Sequence, residues 1–135
     1  MVTNRYKLQA RGYEMDSFNH VNNSVYLNYL EEGRWRFLKE LGILNYLIDS
    51  SLMLIVTELS IRYIKEARVF DELEVETKFI DFSGPFLNFQ QIVKNMDIKR
   101  VITKAKVTTL LVDRDRIPHD CPSEVAKILT GSGQY

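Results

Sequence analysis

Across residues 24 to 42, Tyr26, Leu30, Gly33, Phe37 and Leu41 recur at helical spacing, and Val25, Leu27, Tyr29, Trp35 and Leu38 widen the apolar surface well beyond a single stripe. The polar positions between them, Asn28, Glu31, Glu32, Arg36, Lys39 and Glu40, include good helix formers, and Gly42 is a natural stop. One long helix with so wide an apolar surface predicts burial on most sides, which a flat two-layer packing does not provide. The rest of the chain must therefore curl around it.

That remainder reads mostly as strands. Residues 4 to 12 alternate weakly through Tyr6, Leu8 and Ala10. After Asp49 the pattern is β-like to about residue 113, beginning with Leu59, Ile61 and Tyr63 alternating against Glu58, Ser60 and Arg62. Leu73, Val75, Thr77 and Phe79 then alternate with Glu74, Glu76 and Lys78, which predicts a sheet with one buried and one wet face. Gly84 and Pro85 mark a turn, residues 87 to 94 resume the strand, and residues 95 to 99 make a second polar turn before a strand over 101 to 112. A short helix is expected over 122 to 129, with Pro122 tolerated in its first turn. The order strand, helix, four strands predicts an α+β fold: a curved antiparallel sheet of about five strands around one long central helix.

Composition narrows the function classes. At 135 residues and 45% hydrophobic content, the chain reads as a single domain, 1–135, able to bury a sizeable core. Lys plus Arg and Asp plus Glu are both 18, so no long-range field favours nucleic acid or an anionic membrane. No apolar leader follows the N-terminus, and the aliphatic run at 52 to 56 is far too short to span a bilayer, so a soluble cytoplasmic protein is expected. Cys121 is the single cysteine, and two histidines give no zinc-ligand spacing, so neither a disulfide within the chain nor a structural metal is expected.

The chemistry concentrates just before the helix, in Tyr13-Glu14-Met15-Asp16-Ser17-Phe18-Asn19-His20-Val21-Asn22-Asn23. Asn22 and Asn23 stand where the helix begins, and an asparagine N-cap accepts a hydrogen bond from a first-turn N–H. The remaining first-turn N–H groups, at the positive end of the helix dipole, form a ready oxyanion hole. Asp16 lies on the connection to that helix start, and with His20 it makes an acid/base pair. Position alone favours a turn aspartate and a packed or orienting histidine.

The run Tyr13-x-x-Asp16-x-x-x-His20-Val21-Asn22-Asn23-x-x-Tyr26-x-x-Tyr29-x-x-Glu32-Gly33-Arg34 resembles the signature of hotdog-fold thioesterases of the 4-hydroxybenzoyl-CoA thioesterase and acyl-CoA thioester hydrolase type. The resemblance implies a sheet wrapped on a central helix, a homodimer or homotetramer with active sites at the subunit interface, and no cofactor. It implies hydrolysis of an acyl-CoA or acyl-carrier-protein thioester, with Asp16 as nucleophile or general base, His20 beside it and the N–H at Asn23 polarising the carbonyl. Substrate contacts are expected at Asn22, Ser24, Tyr26 and Tyr63. Members commonly carry glycine before the motif histidine; Asn19 stands there in this chain, and asparagine takes a left-handed backbone cheaply, so the turn should keep its shape.

Other candidates carry less chemistry. Ser24 lacks a nucleophile-elbow context, so cap or oxyanion support suits it better. Cys121 follows His119 by two, with no third orienting group. Glu31 and Glu32 fall mid-helix, where solvated or paired glutamates are the rule. Arg62, Lys65, Arg68, Lys99 and Arg100 are candidates for a phosphate-bearing carrier, or ordinary solubilising charge. Tyr63, Phe79, Phe82 and Phe86 line an acyl pocket or fill the core. Two further functions stay open: an enoyl-thioester hydratase or dehydratase working through His20 and Asp16, and an acyl-thioester binding module without turnover.

Overall fold

The structure, a computed structural model, describes residues 2–131. Strand β1 (Thr3–Gln9) leads through a 3-10 turn, Gly12–Glu14, to helix α1 (Asn23–Glu40) and a short helix α2 (Ile43–Asp49). Strands β2 (Met53–Tyr63), β3 (Glu72–Ser83), β4 (Phe86–Asn95) and β5 (Arg100–Val112) follow, then helix α3 (Ser123–Thr130). The strands form one antiparallel sheet in the order β1-β3-β4-β5-β2, which leaves β1 and β2 as its edges.

The sheet bends at identifiable places. The register shifts between Val56 and Glu58, between Phe79 and Asp81, and between Val93 and Lys94. Extra residues of this kind bend a strand and increase its twist. Helix α1 lies against the middle of the sheet at Gly33, where a Cβ atom would stand 2.6 Å from Val75 Cγ1 and 3.1 Å from both Thr77 Oγ1 and Gln91 Nε2. No side chain fits that gap without displacing the sheet. The core divides into two clusters, one around Tyr26, Tyr29 and Leu30, the other around Phe37, Ile43, Leu47, Phe79 and Phe89.

Three expectations need correction. Helix α1 buries one face rather than most sides: Tyr26, Tyr29, Leu30, Gly33 and Phe37 are buried, whereas Leu27 is 41% exposed and Trp35 51%. The surplus apolar residues lie on a second, open face. The wet face predicted for β3 is covered at two positions, since Glu74 and Glu76 are only 6% and 7% exposed. Both carboxylates lie alongside Arg5 of β1, and Glu76 is also 3.4 Å from Lys94 Nζ of β4, so long side chains from the flanking strands lie across them. Finally, α2 occupies residues between the helix stop and the first core strand, where no element was expected. Gly42 ends α1 as foreseen, in the left-handed conformation at φ 77°, and the same residue caps α2.

Among the described residues no helix is long and apolar enough to cross a membrane. No group of three or more His, Cys, Asp or Glu side chains among them is placed to hold a metal ion.

Candidate active site at the start of helix α1

The segment between β1 and α1 folds by pairing with itself. Met15 and Val21 form an isolated antiparallel bridge. Inside it, the N–H of Asp16 donates to His20 O at 2.7 Å and that of Asn19 to Asp16 O at 3.1 Å. Asn19 adopts φ 66°, the left-handed turn expected of the residue that replaces glycine. The half-buried Asp16 carboxylate closes the loop, its Oδ1 accepting from the N–H of Phe18 at 2.8 Å and of His20 at 3.1 Å. Its other oxygen, Oδ2, accepts no hydrogen bond among the described residues.

The helix start faces the same bridge. Asn22 is the N-cap, its Oδ1 accepting from both Ser24 N–H and Ser24 Oγ at 3.0 Å, and Val25 N–H donates to Asn22 O at 2.9 Å. The N–H of Asn23 has no partner among the described residues. One rung beyond the bridge, Asn22 N–H donates to Glu14 O at 2.9 Å. Asp16 thus lies two residues along the strand from that rung, about 7 Å at the rise of an extended chain.

A buried polar frame holds this loop against the helix. Glu14 is 7% exposed, and its carboxylate accepts from Tyr29 OH at 2.6 Å and from Arg11 N–H at 2.8 Å, with Arg11 Nη1 at 3.3 Å. Burial, then the bond to Glu14 and its charge, raise the pKa of Tyr29 far above the ordinary tyrosine value. Tyr26 packs edge-on against both Tyr29 and Tyr63, and its hydroxyl accepts from Ala67 N–H at 3.1 Å. Burial raises its pKa too. Tyr63 OH donates to Asn23 O at 2.9 Å, pinning the first helical residue from above. Val21 N–H donates to Ala67 O at 2.8 Å, which fixes the loop 64 to 71 beside the site.

Of the residues singled out in the sequence, Asp16, His20, Asn22, Asn23 and Ser24 fall within this one loop and cap. Tyr63 touches the helix start. Tyr26 is buried and ties that helix to the loop 64 to 71. The His20 ring is half-buried and makes no hydrogen bond among the described residues. A backbone hydrogen bond, with Arg68 and Lys65 nearby, lowers the pKa of exposed Glu66 on the loop beside it. Elsewhere, Glu32 pairs with Arg36 at 2.9 Å. His119 Nε2 lies 2.8 Å from Asp113 Oδ2 rather than on Cys121, whose thiol burial pushes upward. Phe79 is core, packed against Phe89.

Sequence reasoning had Tyr29 and Arg34 in the motif but gave no polar role to them, to Glu14 or to Gln91. Gln91 is wholly buried; its Nε2 donates to Leu30 O at 2.8 Å and to Thr77 Oγ1 at 2.9 Å, and its Oε1 accepts from Arg34 Nη1 at 3.0 Å. Burial lowers the Arg34 pKa, against the charge of Glu31. A signal for Glu14 existed in the sequence, a glutamate three residues after Arg11 at the 3-10 turn, but its partner Tyr29 lies a full loop away. Arg34 also borders a cavity of about 590 Å³ beside the second half of α1, walled by Trp35, Leu38, Leu44, Ile48 and Leu54. Neither Asp16 nor Asn23 lines it.

Residues 11–129 match the family described as the Thioesterase-like superfamily. Acyl-acyl carrier protein thioesterase ATL2, chloroplastic, from Arabidopsis thaliana is 32% identical over 120 residues, 88% of this chain and 64% of that protein. The chain therefore spans just under two thirds of that relative's length. Long-chain acyl-CoA thioesterase FadM from Escherichia coli K12 is 26% identical over 107 residues, 79% of this chain and 81% of that one. The crystal structure of YbaW probable thioesterase from Escherichia coli matches with a TM-score of 0.84 at 24% identity, over 93% of this chain and 95% of that one. The antiparallel sheet around α1 is thus the hotdog fold that the motif implied.

Proposed function

Because the chain belongs to the thioesterase-like superfamily, we propose that it hydrolyses acyl thioesters of coenzyme A or acyl carrier protein, releasing a carboxylic acid and a free thiol. One observation carries this reading: the loop that holds Asp16 pairs through Glu14 O with Asn22 N–H at the start of α1, and among the described residues neither the next N–H, of Asn23, nor Asp16 Oδ2 has a hydrogen-bond partner. The thioester carbonyl oxygen sits at the Asn23 N–H, where the helix dipole adds to the hydrogen bond as negative charge develops. The capping bonds around Asn22 and the Tyr63 bond to Asn23 O keep that donor in place, so little reorganisation is needed as the oxyanion forms.

Asp16 then serves by one of two routes. As general base, Oδ2 takes a proton from water, the hydroxide adds to the carbonyl carbon, and the tetrahedral intermediate expels the thiolate, which recovers a proton. As nucleophile, Oδ2 itself adds, the thiolate leaves, and water cleaves the resulting anhydride. In single turnover in oxygen-18 water, label in the Asp16 carboxylate marks the nucleophilic route with water adding at Asp16 Cγ; label in the released acid alone fits the general base or water adding at the acyl carbon of the anhydride, which trapping of the anhydride with hydroxylamine then separates. His20, through its N–H on Asp16, positions the carboxylate, and Lys65 and Arg68 on the adjoining loop meet the carrier's phosphate.

The enzyme works in this reading as a cytoplasmic homodimer or homotetramer with sites at subunit interfaces. Support comes from the open edge of β2, where Met53 and Val56 are 40% and 45% exposed. Sedimentation velocity tests the assembly, and cell fractionation the location. The activity itself is tested by thiol release from acyl-CoA and acyl-carrier-protein thioesters, with an enoyl-CoA in parallel. Free thiol with the double bond untouched is the expected result. Hydration of the enoyl group with its thioester intact would make the protein a hydratase, and saturable binding without thiol would make it a binding module.

A further inference from the structure

A buried carboxylate stands two residues before Asp16. Glu14 is 7% exposed, in the 3-10 turn that leads into the Asp16 loop. The other buried carboxylates, Glu74 and Glu76, lie against Arg5 and Lys94 of neighbouring strands, whereas Glu14 is tied to helix α1 at two points. Its main-chain oxygen accepts from Asn22 N–H at 2.9 Å, at the helix cap. Its side-chain Oε1 accepts from Tyr29 OH at 2.6 Å, seven residues further on, about 10 Å along the helix. A single bond would let the strand pivot. Two bonds this far apart set both its distance from the helix and its tilt. From the strand side, Arg11 N–H donates to the same Oε1 at 2.8 Å, and Arg11 Nη1 lies 3.3 Å from Oε2.

Stability alone does not call for such a residue. Taking a carboxylate out of water costs hydration that its bonds only partly restore, and an apolar pair of the same shape is often as stable. An apolar pair lacks direction, which matters at the two groups next to these ties: Asp16 follows Glu14 by two residues, and Asn23 follows Asn22 by one. We infer that Glu14, together with Tyr29, is a positioning residue for the hydrolysis, holding the Asp16 carboxylate in register with the Asn23 N–H while touching no substrate. The inference rests on the hydrolase reading above and adds to it a pair outside the reacting groups. Burial, then Glu14, raise the Tyr29 pKa, so its hydroxyl keeps its proton and the tie persists at the neutral pH of an assay.

The test is thiol release from an acyl-CoA, with kcat and KM separated. Tyr29→Phe removes the bond to the helix and leaves Arg11 on the carboxylate; kcat is expected to fall at least about tenfold, with KM within about threefold of wild type. Glu14→Leu, which removes the acceptor for both partners, should lower kcat at least about thirtyfold. Glu14→Gln keeps an Oε1 for Tyr29 and Arg11 and should stay within about threefold of wild type. In the Asp16→Asn background, Tyr29→Phe should cost no more than about threefold further, because no reacting carboxylate remains to be misplaced. A purely structural role would lower the thermal midpoint and leave kcat of the folded protein unchanged. Wild-type kcat in folded Tyr29→Phe, Glu14→Gln as damaging as Glu14→Leu, or a full further loss in the Asp16→Asn background would each overturn the inference. If Glu14→Leu does not fold, Tyr29→Phe and Glu14→Gln decide alone. A wild type that releases no thiol would sink the hydrolase reading and this one with it, whereas an active wild type matched by Tyr29→Phe sinks this one alone.

Discussion

At its N-terminal end helix α1 is held by directional polar bonds, from Tyr63 to Asn23, from Ser24 to Asn22 and from Tyr29 to buried Glu14, whereas toward its C-terminal end the buried contact is Phe37 among Ile43, Leu47, Phe79 and Phe89, and the polar bonds, Asn4 to Glu40 and Arg36 to Glu32, lie at its outer edge. The difference is one of precision against volume. Hydrogen bonds fix atoms to fractions of an ångström, as a helix-start donor and a carboxylate require if they are to face one carbonyl group. Apolar packing fixes shape and stability while tolerating an adjoining void. Gly33, pressed on Val75 at mid-helix, divides the two.

The contrast can be broken by substitution. The largest expected loss of stability is at the apolar end: Phe37→Ala should cost about 3 to 5 kcal/mol, read from denaturant unfolding, because a fully buried ring leaves a cavity that close neighbours only partly fill. Tyr29→Phe comes next, at about 1.5 to 3 kcal/mol, since it strips one donor from a buried carboxylate. Its loss should show as faster amide exchange at residues 16 to 23, with the second half of α1 unchanged. A cost spread evenly over the helix would erase the distinction between its ends.

Alkali should act on the polar end of α1 through its tyrosines. The folded pKa values of Tyr29 and Tyr26 are raised, so the unfolded chain loses protons first, near the ordinary tyrosine value of about 10. Stability from these groups is fully present below that pH and falls as pH climbs beyond it. Tyr29→Phe should flatten the slope of stability against pH in this window, and Phe37→Ala should leave it unaltered. Smallest is Asn22→Ala, about 1 kcal/mol for a lost cap, checked by the thermal midpoint.

The polar end was the more legible in the sequence, but only where its bonds are local. An asparagine N-cap at 22 or 23 is decided within four residues and could be read directly, as could the helix stop Gly42 at the other end, whereas the left-handed turn at Asn19 followed from the family resemblance. The burial of Glu14, Glu74 and Glu76 depends on Tyr29, Arg5 and Lys94, partners brought close by register that no short window contains. The strand alternations gave the sheet its members, while the placement of β1 beside β3 comes from pairing across the whole chain. Helix α2 escaped because seven residues carry too few turns to show a period. The width of the apolar surface on α1 was read as burial on most sides, which the structure corrects. Its second face opens on a cavity rather than on more sheet.

The central claim is that the Asp16 carboxylate reacts, beyond shaping its loop, and Asp16→Asn tests it most directly. Asparagine keeps an Oδ1 able to accept from the N–H groups of Phe18 and His20, so the turn should survive while the charge and the base are lost. In a thiol-release assay kcat should fall at least about a hundredfold, with the thermal midpoint essentially unchanged. Equal turnover by a folded Asp16→Asn protein would contradict the account and leave residue 16 a turn former only.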